Sequence, residues 1–283
     1  MNRKIAILID AGLGLLLSAC GGEPASQLKQ DLTFLCSEAC WGRLPGSAGN
    51  DAAQDYVAGD FEEAGLDPLQ GFDSLLVPYD QTAFDMDRQE QTLTAVFPDG
   101  SSKTFYAGAD FYPYLGLDGG FSGEVTADPA DPDLEDKIFL SPDGSMPDSR
   151  ADVLQSVTAA ARIRRGNRPV LHCPPAVFEQ LTGCSALTLK GAPVTQEKTL
   201  YNVAGVLPGR SGKDALLVTA HFDHVGGYGD VYYPGAFDNA SGTALMLEVM
   251  RQMAQSGNQA DYDYYIRRLQ RRRHGPTGQR WYC

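Results

Sequence analysis

The sequence predicts an α/β fold built on a mostly parallel, mixed sheet, with a β-rich module inserted into it. Three observations lead there. Ala215 to Ala220 is a continuous apolar run, the pattern of a strand buried on both faces. Ala53, Tyr56, Val57, Phe61 and Ala64 recur at helical spacing up to Gly65, and a second helix through Ala244, Leu245, Leu247, Glu248, Met250 and Met253 follows Gly242. Between about Leu75 and Val194 the signal changes to short β-rich runs such as Thr92 to Phe97 and Lys137 to Leu140. Asp, Pro and Gly turns separate them, and one helix is expected over Ala151 to Ile163. At 283 residues and 30.5 kDa the chain can bury a sizeable core without a disulfide scaffold.

In chain order, Arg3 and Lys4 precede an apolar stretch from Ile5 to Leu17, interrupted by Asp10, which is too short to span a bilayer and has the length of a signal core. It ends in Leu17-Ser18-Ala19-Cys20-Gly21-Gly22, which resembles the lipobox of bacterial lipoproteins. That resemblance implies cleavage before Cys20, a lipid on its thiol, and anchoring to a bacterial membrane in the cell envelope. Export would place Cys36, Cys40, Cys173, Cys184 and Cys283 where thiols can oxidise, and the Cys36/Cys40 and Cys173/Cys184 spacings allow two local bridges. Neither pair has the Cys-x2-Cys spacing of a zinc knuckle.

The expected organisation is a signal peptide at 1–20, an N-terminal helical part at 21–74, the inserted module at 75–195, an α/β part at 196–261 and a basic tail at 262–283. Asp31 to Leu66 reads as two helical pieces around a turn from Gly42 to Asn50. Phe105, Tyr106, Phe111, Tyr112 and Tyr114 read as core of the inserted module. The formal charge is −13, although the tail from Arg267 carries six Arg and no acid. So acidic a body excludes a nucleic-acid partner, whose affinity would come from Lys and Arg on phosphates.

His221 stands at the C-terminal end of the Ala215–Ala220 run, the end at which open α/β sheets bind ligands. Phe222-Asp223-His224-Val225-Gly226-Gly227 turns the chain away, and Pro234 to Gly242 brings Asp238 to the entrance of the next helix. An imidazole at a strand end and a carboxylate at a helix entrance suit a divalent cation, with Asp223 able to accept from the second nitrogen of His221. The structural alternative is Asp238 or Asn239 as a helix N-cap. The His-x-Asp-His string is also similar to metallo-β-lactamase-type hydrolases, but their further His, two residues earlier, is here Thr219.

Taken together, His221-Phe-Asp223-His224 and Gly235-Ala-Phe-Asp238-Asn239-Ala-Ser-Gly242, preceded by Tyr201 to Gly209, resemble the co-catalytic zinc aminopeptidases, metallopeptidase family twenty-eight. The Gly42–Asn50 turn and its helix resemble the segment before the catalytic sheet of these enzymes, and the middle module resembles a protease-associated insertion only loosely. The resemblance implies a zinc-exopeptidase fold with helices on both faces of the sheet and a peptide substrate. It also implies two zinc ions, with His221 as a ligand, Asp238 shared by both, Asp223 orienting His221, and a cis Asp238–Asn239 peptide.

The family's next strand ends in paired acids, a general base and a ligand, and later segments supply an Asp and a His. The chain has no Glu after Glu248, no acid after Asp263, and only His274 in an Arg/Gly/Pro string. Two ligands cannot hold two tetrahedral ions, so the site is expected to be incomplete at its C-terminal side and the general-base Glu absent. Read one base later from Ile266, permitted codons spell Phe-Ala-Ala-Phe-Asn-Gly-Glu-Asp-Met-Gly-Leu-Leu-Gly-Ser, close to the missing strand and paired acids, although the second acid can only be Asp. The expectation is therefore a zinc exopeptidase interrupted by a frameshift between about Asp261 and Ile266, inactive as written, with an uncovered edge on the Ala215–Ala220 strand. The alternative is a non-catalytic envelope lipoprotein that binds a peptide or protein.

Overall fold

The computed structural model describes residues 24–113, 120–145, 147–155, 164–165, 168–210, 214–257 and 262–269. They form two compact units, each with its own core. The first takes in the described residues up to Gln81, then Glu197–Gly226, and those from Pro234 onward; the second takes in Thr82–Gln196 and Gly227–Tyr233.

In the first unit, helices Pro24–Leu35, Ala48–Glu63 and Ser241–Gln255 accompany a mixed sheet ordered Asp67–Pro68, Thr195–Leu207, Tyr262–Leu269, Asp214–His221, with Leu76–Phe84 also on the Thr195–Leu207 strand. Ser47 caps the second helix, its hydroxyl accepting from the Asn50 amide, so the helix starts inside the segment expected as turn. The spacing that predicts this helix also names its inner face: Ala53, Val57 and Phe61 are fully buried with Leu35, Val203, Phe222 and Leu247. Each large apolar side chain so buried contributes roughly 1.5 to 3 kcal/mol. Arg251 ties the helices together at one edge. Its guanidinium donates to Asp31 at 2.8 and 2.9 Å and to Asp60 at 2.5 Å, and Tyr56 donates to Asp31 at 2.7 Å.

Two expectations for this sheet change. The Asp214–His221 strand alternates instead of being buried on both faces: Leu216, Val218 and Ala220 pack toward the core while Leu217 and Thr219 are exposed. The apolar run reads as two-sided burial because Ala and Leu tolerate a half-open face. The expected missing neighbour is also present, although among the described residues the strand remains the last of its sheet. Tyr262–Leu269 runs parallel beside it from Asp214↔Tyr262 to His221↔Leu269, and antiparallel to Thr195–Leu207 on its other side. The Tyr-rich start of this segment has strand propensity, and Ile266 is buried in the core, so the sheet continues past the point where the acids cease.

The second unit is an eight-stranded mixed sheet in the order Ser102–Tyr106, Thr92–Val96, Ala186–Lys190, Gly120–Thr126, Ile138–Ser141, Ala151–Gln155, Arg168–Cys173, Arg164–Arg165. Its core includes Phe105 and Phe111, and Tyr112 is buried too, whereas Tyr106 is exposed and Tyr114 lies outside the described residues. The helix expected from Ala151 is corrected: Ala151–Gln155 is a buried strand paired parallel to Ile138–Ser141 and Arg168–Cys173, and 156–163 lie outside the described residues. Ala-Asp-Val-Leu is ambiguous between the two states, and pairing on both sides decides it.

Cys36, Cys40, Cys173 and Cys184 form no disulfide with one another, so neither local bridge is present. Burial pushes Cys173 up to about 12 and Cys184 to about 11, which keeps both protonated and unreactive at neutral pH. Among the described residues no helix is long and apolar enough to cross a membrane, and the stretch from Ile5 to Cys20 lies outside them.

Candidate metal centre

The Asp214–His221 strand delivers His221 to the end of the sheet, and the loop from Phe222 folds back at once. Asp223 is nearly fully buried, its Oδ1 3.5 Å from His221 Nδ1. That nitrogen is itself buried and makes no hydrogen bond. The other ring nitrogen, Nε2, lies 3.4 Å from Oδ1 of Asp238, and Asp238 Oδ2 is 3.9 Å from Nδ1 of His224. Asp238 is half-exposed.

Asp238 reaches this position through an irregular turn, Ala236–Ala240, that precedes the helix Ser241–Gln255. The Asp238–Asn239 peptide is cis. The helix is capped by Ala240 with no side-chain bond, so neither Asp238 nor Asn239 serves as its N-cap. Asn239 Nδ2 instead donates to the His221 carbonyl at 3.3 Å, and Thr243 Oγ1 donates to the same oxygen at 3.0 Å. The turn and the helix are thus pinned to the strand end that carries the imidazole.

A residue whose role is not apparent from the sequence lies beneath both loops. Trp41, Gly42 and Arg43 form a turn with φ of 37°, 66° and 50°, a conformation that costs non-glycine residues about 1 kcal/mol or more each. It turns Arg43 inward, where the side chain is fully buried. Nε donates to the Phe222 carbonyl at 2.5 Å, Nη1 to Leu35 and, at 2.7 Å, to Pro234, and Nη2 to Gly235 at 3.0 Å. Its own carbonyl accepts from the His224 amide at 3.0 Å and from Asn50 Nδ2 at 3.2 Å. Burial lowers the Arg43 pKa, opposed by Cys36, Cys40, Asp223 and Asp238, and a guanidinium stays charged throughout the working range. The only hint in the sequence is an Arg set between Gly42 and Leu44, where a solvated side chain is the ordinary reading.

The donor set agrees with one corner of a metal site. Two ligands of a tetrahedral ion at zinc distances of about 2.0 to 2.1 Å stand about 3.3 to 3.4 Å apart, the separation of His221 Nε2 and Asp238 Oδ1. Among the described residues no group of three or more His, Cys, Asp or Glu is placed to hold an ion. Glu248 faces away, accepting from Gln252 and lying 3.6 Å from Arg251, and His274 and Cys20 are outside the described residues.

The comparisons with known proteins fall on this region. The model of Peptidase family M28 matches residues 202–267 of the chain. The match spans His221, Asp223 and Asp238 and ends at Arg267, the first residue of the Arg-rich run. No curated protein matches. Among solved structures, an aminopeptidase from Aneurinibacillus sp. strain AM-1 is 18% identical, with 87% of this chain and 62% of that chain covered and a TM-score of 0.48. A leucine aminopeptidase precursor from Bacteroides thetaiotaomicron is 13% identical, covering 87% and 45%, with a TM-score of 0.32. Tannerella forsythia glutaminyl cyclase is 12% identical, covering 92% and 50%, with a TM-score of 0.34. The chain therefore spans between about half and three-fifths of the length of these proteins.

Proposed function

We propose that the chain is an incomplete zinc-dependent exopeptidase of aminopeptidase type, acting on peptide N-termini when its metal shell is whole. The observation that carries this reading is the 3.4 Å approach of His221 Nε2 to Asp238 Oδ1 at the end of a sheet strand, inside the segment that matches a peptidase family. His221 and Asp238 would hold zinc, which supplies Lewis-acid polarisation of a scissile carbonyl and a water acidified toward neutrality. Asp223, 3.5 Å from Nδ1, would orient the ring of His221 when the metal is bound, and Asn239 and Thr243 hold the strand end to the turn that carries Asp238. With no third donor and no carboxylate placed as general base among the described residues, the 283-residue chain is expected to release no N-terminal residue above background. Zinc-dependent release by the purified chain, abolished in Asp238→Ala, contradicts that and supports a complete site. A chain that binds peptide or a protein without hydrolysis, and does so equally well after Asp238→Ala, favours the non-catalytic lipoprotein instead.

The proposed place of action is the cell envelope, with Cys20 carrying a lipid that holds the protein to a bacterial membrane. Fractionation of cells making Cys20→Ser tests this. The variant is expected to leave the membrane fraction, and a variant retained there uncleaved at wild-type level contradicts the anchor.

A further inference from the structure

We infer that Arg43 is the positioning residue of this centre, a buried cationic clamp that fixes the His221 loop against the Asp238 loop. The inference rests on the metal reading of His221 and Asp238 and adds the element that sets their separation. The two loops approach each other from different parts of the chain, and both present backbone carbonyls to one guanidinium: Phe222 from the first, Pro234 and Gly235 from the second. The Arg43 carbonyl closes the arrangement by accepting from the His224 amide. A planar fork with five donors can serve several carbonyls at fixed angles, which a single ammonium cannot. The fit is close. A Cβ at Gly235, whose φ is 58°, would fall 2.7 Å from Arg43 Nη2 and 2.6 Å from the His224 ring. The positive charge also lies beside Asp223 and Asp238, so it offsets their mutual repulsion when no metal is bound.

The test uses the full chain uniformly labelled with 15N and compares wild type, Arg43→Lys and Gly235→Ala by NMR. In metal-free protein the His224 amide, which donates to Arg43, and the Ala240 amide, which donates to Gly235 at 3.1 Å, are expected to exchange at least tenfold faster in Arg43→Lys. The Val218 amide, in the sheet, exchanges as before. With cobalt(II) as probe, the His221 ring signal is expected to respond at a concentration at least tenfold higher in Arg43→Lys than in wild type. Wild-type exchange at His224 and Ala240, or wild-type cobalt affinity in folded Arg43→Lys, overturns the clamp. If Arg43→Lys does not fold, Gly235→Ala decides, because it keeps Arg43 and crowds the point where its guanidinium and the His224 ring meet the second loop; unchanged exchange and affinity there overturn the inference. A wild-type chain whose His221 ignores cobalt contradicts the metal reading, and the exchange comparison still decides the clamp.

Discussion

Restoring the reading frame by one base at Ile266 and continuing the gene to its natural stop is expected to yield soluble protein with about two zinc ions per chain. Aminopeptidase activity should exceed that of the 283-residue chain by roughly 10³-fold or more, the combined scale of a general base and a complete metal pair. The sheet register makes the geometry concrete. Tyr262–Leu269 lies parallel to Asp214–His221 with Leu269 opposite His221, the strand end at which the imidazole stands. In the shifted reading a Glu-Asp pair follows a few residues after that register point in the sequence. A genomic read that confirms the present frame, or a repaired product without zinc, contradicts the frameshift account and favours the binding lipoprotein.

Arg251→Leu is expected to destabilise the first unit by about 3 to 5 kcal/mol at pH 7, the scale for removing one partner of a buried ion pair. Asp31 is fully buried, and Asp60 and Glu248 are largely so, which leaves their carboxylates facing each other without a cation. The loss should shrink as pH falls. Asp60 already has a raised pKa because of burial, with Arg251 opposing the rise. A carboxyl whose folded pKa exceeds its unfolded value binds its proton more tightly when folded, so stability grows as pH drops through that folded pKa. Deleting Arg251 removes the opposing influence and widens the window. Urea unfolding of both proteins at pH 7 and pH 5 reads this directly; a loss under 1 kcal/mol, or one equal at both values, contradicts the buried-network account.

Much of this site was legible because its chemistry is local. His221, Asp223 and Asp238 sit where a strand stops and a helix starts, and those boundaries are written in Val225-Gly226-Gly227 and Pro234-Gly235. Helical spacing likewise exposed Ala53, Val57 and Phe61. Arg43 was not legible, since its partners are backbone carbonyls of Leu35, Phe222, Pro234 and Gly235, which leave no mark on residue type. Asn239 and Thr243 escaped for the same reason, both bonding to the His221 carbonyl. Ala151–Gln155 and Tyr262–Leu269 were misread because pairing with distant strands, not local propensity, sets their state.

The most direct test of the account is zinc titration of the full chain, watched through the ring nitrogens of its four histidines, His172, His221, His224 and His274. Zinc is expected to shift Nε2 of His221 before any other histidine, weakly because the shell is incomplete, and Asp238→Ala should raise the required concentration at least tenfold. A response at His172 or His274 with His221 unmoved, or an Asp238→Ala chain that binds as wild type does, contradicts the assignment of His221 and Asp238 as metal ligands.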